Sequence, residues 1–265
     1  CFTVTVVSVG MSFVYACGSM DISIGSVMAL AELVMGYLML RGGVPVPIIL
    51  LAGLCVSTGF ASMVGAITTF LRVPTFIISL CVMNICTGIV TTAVSQKVMY
   101  TPYKQYVQFN ATGLRIAVLV VVIVVGLIVF NKSRRGRDVK ALGGNVVAAQ
   151  QSGVRKHRTM LLGFLCMGLC VGLAGFFALT RTGTVNATTG SGLGLNILVA
   201  IVLGGFPLTG GAKSRMLGAI VGALTVTVLT NGLALMGVNS NIAMFVKGLL
   251  FIVVVAISYE RSKGK

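Results

Sequence analysis

The chain has 265 residues, of which 57% are hydrophobic and 9% charged, and 20 Lys and Arg against four Asp and Glu give it a net charge of +16. A soluble domain carries about 25% charged residues, so this composition excludes a water-covered globule and requires apolar segments that face lipid and one another. It also excludes a nucleic-acid binder: the acids are only Asp21, Glu32, Asp138 and Glu260, and the bases sit in short links between apolar runs, as the positive-inside rule produces.

Nine apolar runs follow in chain order, at 1–17, 22–40, 46–70, 74–94, 114–130, 159–180, 195–208, 216–236 and 241–258. They predict an all-α fold, a polytopic transmembrane helical bundle forming a single transmembrane domain over 1–265. Most runs approach the ~20 residues a helix needs to cross about 30 Å of hydrocarbon. The run 195–208 is too short, which predicts a broken or re-entrant segment buried in protein. The first run opens on Cys1 without an initiator Met or flanking charge. An N-terminal truncation is therefore expected, with ten membrane segments in the full chain.

Lys and Arg set the orientation. The link 131–158 carries Lys132, Arg134, Arg135, Arg137, Lys140, Arg155, Lys156 and Arg158 against Asp138 alone, and the C-terminal tail adds Arg261, Lys263 and Lys265. Both are assigned to the cytoplasm, with four crossings between them. Lys213, Arg215 and Arg72 then fall inside as well, while 95–113 and 181–194 fall outside. The seven Cys residues lie in apolar stretches without metal-ligand spacing and read as small hydrophobes. His157 reads as a solvated residue of the basic link. No catalytic residue and no metal site are expected.

Within 131–158, Gly143 and Gly144 interrupt the chain, and Asn145 is suited to cap a helix whose first amides lack partners. Gly153 can take the left-handed position that ends it. The helix between them has about seven residues, roughly 10 Å, with small, uncharged side chains. It suits either a knob that docks into a partner's groove or a plain solvated surface helix.

The stretch from Gly136-Arg137 through Ala141-Leu-Gly-Gly-Asn145 to Ser152-Gly153 resembles an element of the ribose-type permeases of ATP-binding-cassette importers. Three more stretches agree with that family in order: Gly18-Ser-Met-Asp21-Ile-Ser23-Ile-Gly25-Ser26, Leu71-Arg72-Val73-Pro74-Thr-Phe76-Ile77, and Leu203-Gly204-Gly205 with Thr209-Gly210-Gly211. Asn231-Gly232-Leu233 and Val246-Lys247-Gly248 follow. Two departures stand out. Val146-Val147 replaces the Glu-Glu or Glu-Ala often found after the Gly-Gly-Asn, and Gly194-Leu195-Asn196 replaces a frequent Glu-Leu-Asp.

The resemblance implies a multi-pass protein of the bacterial cytoplasmic (inner) membrane that passes a ribose-like sugar by alternating access. It implies that Gly143, Gly144, Asn145, Ala148, Ala149, Ser152 and Gly153 form a coupling helix against ATPase subunits. The other implied partners are an extracytoplasmic substrate-binding protein and a second permease copy, identical or paralogous. ATP and Mg would be used by the partner subunits, with no cofactor bound by this chain. Gly205 to Ser214 looks like a phosphate-binding loop, but Ala212 stands where that motif needs Gly and no buried strand precedes it. A permease for a nucleoside or an autoinducer remains open, as do an ion-coupled secondary transporter and a non-transporting scaffold.

Charge at membrane depth is expensive and faces a cavity or a partner. Asp21 and Glu32 are eleven residues apart, about 16 Å on one face of a continuous helix. Either could line or gate a translocation path, although Asp21 also suits an N-cap. Asn84 and Asn231 suit hydrogen bonds between helices, and Lys247 suits a pairing with Glu32 or Asp21 or a reach to the surface. A path for an uncharged, hydroxyl-rich sugar would suit Asp21, Ser23, Glu32, Asn84 and Asn231 as lining.

Overall fold

The computed structural model describes residues 1–94, 97–102, 106–207 and 210–263. Eleven helices dominate these residues: α1 (Phe2–Ala16), α2 (Ile24–Arg41), α3 (Val46–Leu71), α4 (Thr75–Val94), α5 (Thr112–Lys132), α6 (Arg134–Gly144), α7 (Val146–Gln151), α8 (Lys156–Thr182), α9 (Leu193–Leu203), α10 (Met216–Leu235) and α11 (Ser240–Lys263). A 3₁₀ turn covers Val107–Asn110, and the strands β1 (Met99–Tyr100) and β2 (Thr184–Val185) complete the described elements. The chain is a polytopic helical bundle.

Among the described residues, six helices are long and apolar enough to cross a membrane: α2, α3, α4, α5, α8 and α10. Two of the other apolar runs form the shorter helices Phe2–Ala16 and Leu193–Leu203, and the run 241–258 lies within the 24-residue α11. The nine runs therefore correspond, among the described residues, to six long apolar helices, two shorter ones and α11.

The helix ends follow local chemistry. Gly42 and Gly43, at φ 67° and 71°, stop α2, and Pro45 and Pro47 open α3, where a missing N–H is no loss. Arg72 stops α3 in the left-handed region at φ 57°. Gly183 does the same for α8 at φ 65°.

Burial separates the helices into centre and rim. From Thr5 to Ala16, α1 is buried on every side, and most of α2 and α8 is buried too. Much of the surface of α5 is exposed, with only Gly126 and Phe130 buried. Packing of α8 on α3 relies on small residues: a Cβ at Gly168 would lie 2.6 Å from Thr58 Cα, and one at Gly172 would press on Ser57 and Leu54.

The strands pair antiparallel, Met99 with Val185 and Tyr100 with Thr184. They join the links 95–113 and 181–194 on one face, the face that the Lys and Arg distribution assigns to the outside. Below this ribbon the chain turns inward. A Cβ at Gly36 would meet Met99 and Thr101, whereas Gly25 and Gly190 touch through their backbones. Those two levels of α2 are eleven residues apart, so the link after β2 descends about 16 Å into the bundle. From there α9, with eleven residues and again about 16 Å or half a bilayer, carries the chain on to the basic face, where the Gly211 N–H donates to the Ala16 carbonyl. Of the two alternatives for the short run, a broken or a re-entrant segment, this is the broken one: half the depth is covered by the link and half by α9.

Candidate functional site

The descending link walls a cavity of about 410 Å³. It lies between the first turn of α2 (Gly25 and Ser26), the α4 residues Asn84 and Thr87, the link residues Thr188 to Gly192, and the start of α9. Side-chain and backbone polar groups surround it without a single ionised residue. Asn186 shapes the link, since its Oδ1 accepts from the Thr188 N–H at 3.0 Å, the Thr188 hydroxyl at 2.9 Å and the Thr189 hydroxyl at 3.1 Å. The run Asn186-Ala-Thr-Thr-Gly-Ser-Gly192 carried the signal for such a loop in its density of turn residues, yet its role as a cavity wall depends on contacts with α2 and α4.

Asp21 sits behind this wall rather than on it. It is 1% exposed, and its Oδ1 accepts from the N–H and the hydroxyl of Ser23, both at 2.7 Å. The N-cap position belongs to Ser23, because α2 starts at Ile24. The N-cap reading of Asp21 is thus displaced by two residues: the carboxylate organises the turn before the helix. Its Oδ2 is buried without a hydrogen-bond partner. The Ile22 N–H donates to Ser79 Oγ at 3.4 Å, fastening the turn to α4.

Glu32, 2% exposed on α2, points its chain at α8, where a Cβ at Gly175 would lie 3.5 Å from its Cγ. Its Oε1 has no hydrogen-bond partner. Asn84 differs from the expected interhelical donor, because its amide donates to the Leu80 carbonyl of its own helix at 3.0 Å. Its side chain is exposed at the cavity edge. Asn231 is exposed on α10 and does not line the cavity. Lys247 pairs with neither acid: its ammonium donates to Asn196 Oδ1 at 2.9 Å.

On the opposite face, α6 and α7 form a compact projection. Ser133 caps α6 by accepting from the Gly136 N–H at 3.1 Å. Arg137 donates to the Lys132 carbonyl at 3.3 Å, and Lys140 donates to Asn131 Oδ1 at 3.0 Å while lying 4.3 Å over the Phe130 ring. Partial burial there holds the Lys140 ammonium below its ordinary pKa range. These contacts pin α6 to the end of α5.

The Asn145 side chain accepts from the N–H groups of Val147 and Ala148 at 3.0 and 3.1 Å, capping the six-residue α7. Gly153, at φ 84°, ends it: its N–H reaches the Gln150 carbonyl and the Val154 N–H reaches the Ala149 carbonyl, both at 3.0 Å. That double bond pattern satisfies two carbonyls left over at the helix end. Ala149 is the buried contact of α7, while Val147 is 63% exposed and Ala148, Ser152 and Gly153 are exposed beside it.

Gly143 reaches the bundle. A Cβ there would overlap the Ala16 carbonyl, which itself accepts from the Gly211 N–H at 3.1 Å. Gly144 has open space. The projection, the end of α1 and the second glycine pair thus meet backbone to backbone. Thr209, part of that glycine motif, lies outside the described residues.

A family model described as branched-chain amino acid transport system / permease component matches residues 1–255. The chain belongs to this permease family. Among curated proteins, it is 28% identical over 267 residues to the ribose import permease protein of Escherichia coli (strain K12), covering 97% of this chain and 82% of that one. It is 29% identical over 262 residues to the D-allose transport system permease protein of the same strain, covering 97% and 80%. The fructose import permease protein of Rhizobium meliloti is 30% identical over 274 residues, covering 96% and 74%. No solved structure matches the chain. As a member of this family it is a multi-pass membrane permease, and two of its polar features are the cavity at mid-depth and the capped projection on the basic face.

Proposed function

We propose that this chain is the permease subunit of an ATP-driven importer, and that its substrate is a ribose-like monosaccharide. The observation that carries the reading is the alignment of nearly the whole chain with permeases named for ribose, D-allose and fructose. The cavity beside α9 supports it. A sugar needs hydroxyl and amide partners and no counter-charge, and Ser26, Asn84, Thr87 and Thr188 offer that chemistry.

In this reading the substrate crosses through the cavity, whose open side at α4 faces a second permease copy. Asp21 and Ser23 hold the turn that forms the inner wall, and Glu32 stiffens α2 behind it. An extracytoplasmic binding protein delivers the sugar at the face of the β-ribbon. The projection centred on α7 docks into the ATPase subunits, which bind ATP and Mg. Its displacement passes through Gly143 to the end of α1 and through α6 to α5, shifting the population between outward-open and inward-open states. The site of action is the bacterial inner membrane.

Proteoliposomes holding the permease with its ATPase subunits and binding protein test this directly. Labelled ribose, allose or fructose should accumulate only when ATP is supplied to the ATPase side. Accumulation driven by a proton or sodium gradient without ATP would overturn the importer reading. ATP-driven uptake of a nucleoside or a branched-chain amino acid, with no sugar moved, would overturn the substrate alone.

A further inference from the structure

A groove of about 260 Å³ runs between α5 and α8 over a floor made by α1, and shares no lining residue with the cavity beside α9. Val9 and Phe13 form the floor, α5 supplies one wall from Val121 to Val129, and α8 supplies the other from Cys166 to Leu173. No lining side chain carries an oxygen or a nitrogen. Glycines seat both walls on the floor: a Cβ at Gly126 would lie 2.5 Å from Val9, and one at Gly10 would lie 2.7 Å from the Cys170 side chain. Between the walls the groove stays open, with Val121, Val125 and Leu169 exposed at its rim.

An open apolar slot at membrane depth forfeits dispersion contacts unless something apolar lies in it, and these walls offer a polar ligand no hydrogen bond. The groove calls for hydrocarbon, and its inner end indicates which kind. Val129 lies three residues, about 4.5 Å, before Lys132 at the end of α5. Lys132, Arg134, Arg135, Arg137 and Lys140 then follow within nine residues, against Asp138 alone. A cluster of roughly four to eight bases directly cytoplasmic of a spanning helix attracts anionic headgroups. The positive-inside rule accounts for such a cluster by itself, and bulk lipid accounts for an apolar face by itself. Here the two meet on one helix, and the slot runs outward from the cluster along α5 for about 12 Å.

We propose that an anionic phospholipid of the inner leaflet binds here, with its headgroup at the cluster from Lys132 to Lys140 and one acyl chain in the groove. The walls are also the two stems that carry the projection, since α5 leads into α6 and α7 leads out to α8. A chain held between them fixes their separation. Binding does not depend on the importer reading, because neither the substrate cavity nor an ATPase subunit takes part in it.

The chain contains no Trp, so single tryptophans report on the lipid beside them. Leu169→Trp places one at the groove rim, and Val121→Trp places a second reporter on the opposite wall. Ile128→Trp is the control, exposed on α5 two residues from Gly126 but outside the groove. The whole permease is reconstituted with brominated phosphatidylcholine or brominated phosphatidylglycerol, whose bromines quench neighbouring tryptophans. At both groove positions the preference for phosphatidylglycerol should exceed that at Ile128→Trp by about fivefold or more. Lys132→Gln, Arg134→Gln and Arg135→Gln together should remove this excess, while Arg137, Lys140, Arg155, Lys156 and Arg158 keep the orientation.

Equal preference at groove and control positions overturns the proposal, as does an excess that survives the triple substitution. Groove tryptophans that neither brominated lipid quenches also overturn it, since the slot is then covered by protein such as a second copy of the chain.

Discussion

The ammonium of Lys247 donates to Oδ1 of Asn196 at 2.9 Å, tying α11 to the half-length α9 across 51 positions of sequence. A cation in an apolar helix is expensive unless something compensates it, and here one amide does. Lys247→Met should lower the melting temperature by about 2–4 °C, from the loss of about 1 kcal/mol. Asn196→Asp, which makes the bond an ion pair, should keep the parent value. Fluorescence-detected melting in detergent reads both, and an unchanged Lys247→Met would show that the bond contributes nothing.

Neighbouring glycines make opposite predictions. A Cβ at Gly143 would overlap the Ala16 carbonyl, whereas Gly144 has nothing within 4 Å. Gly143→Ala should destabilise by about 1–3 kcal/mol through overpacking and reduce folded yield. Gly144→Ala should express and melt like the parent. Size-exclusion profiles of the two variants decide it, and equal profiles would refute the close approach.

Asn145→Ala removes the cap bonds to Val147 and Ala148, which are worth about 1 kcal/mol to α7. Since α7 buries only Ala149 and packs on α6, global stability should barely move. Sugar transported per ATP hydrolysed should fall. The ratio of uptake to hydrolysis in proteoliposomes measures this, and an unaltered ratio would argue against α7 as the transmitting element.

Asn84 separates path from scaffold. Its amide bonds only the Leu80 carbonyl of its own helix, so Asn84→Leu should leave melting unchanged within about 0.5 kcal/mol. Uptake should drop severalfold if a sugar passes beside it. Loss of stability with normal uptake would reverse the assignment.

Much of this architecture is readable along the chain, and the unread part has one physical origin. Helix positions follow from apolar runs, and the ends of α7 follow from Asn145 and Gly153, because caps are bonds between residues two to five apart. The half-length of α9 is visible as a run too short for a bilayer. What is hidden depends on distant partners. Nothing near Asn84 reveals that it faces a cavity rather than a helix, and Lys247 offers Glu32 and Asp21 as equally plausible partners until the fold brings Asn196 beside it. The Gly25–Gly190 contact is equally invisible, since either glycine alone suggests only a turn.

The half-length of α9 also bears on how the protein is made. A translocation channel releases segments to lipid according to their apolar length and content, and eleven residues are a weak cue for release. The loop before α9 must nevertheless return from the outer face to mid-depth and settle against Gly25. Its seating needs α4, synthesised about a hundred residues earlier, and Gly25 of α2, synthesised about 165 residues earlier, and the polar cavity comes into being only as a late act of assembly. Substitutions that slow this docking would send the nascent permease to quality-control proteases while leaving every individual spanning helix correctly inserted.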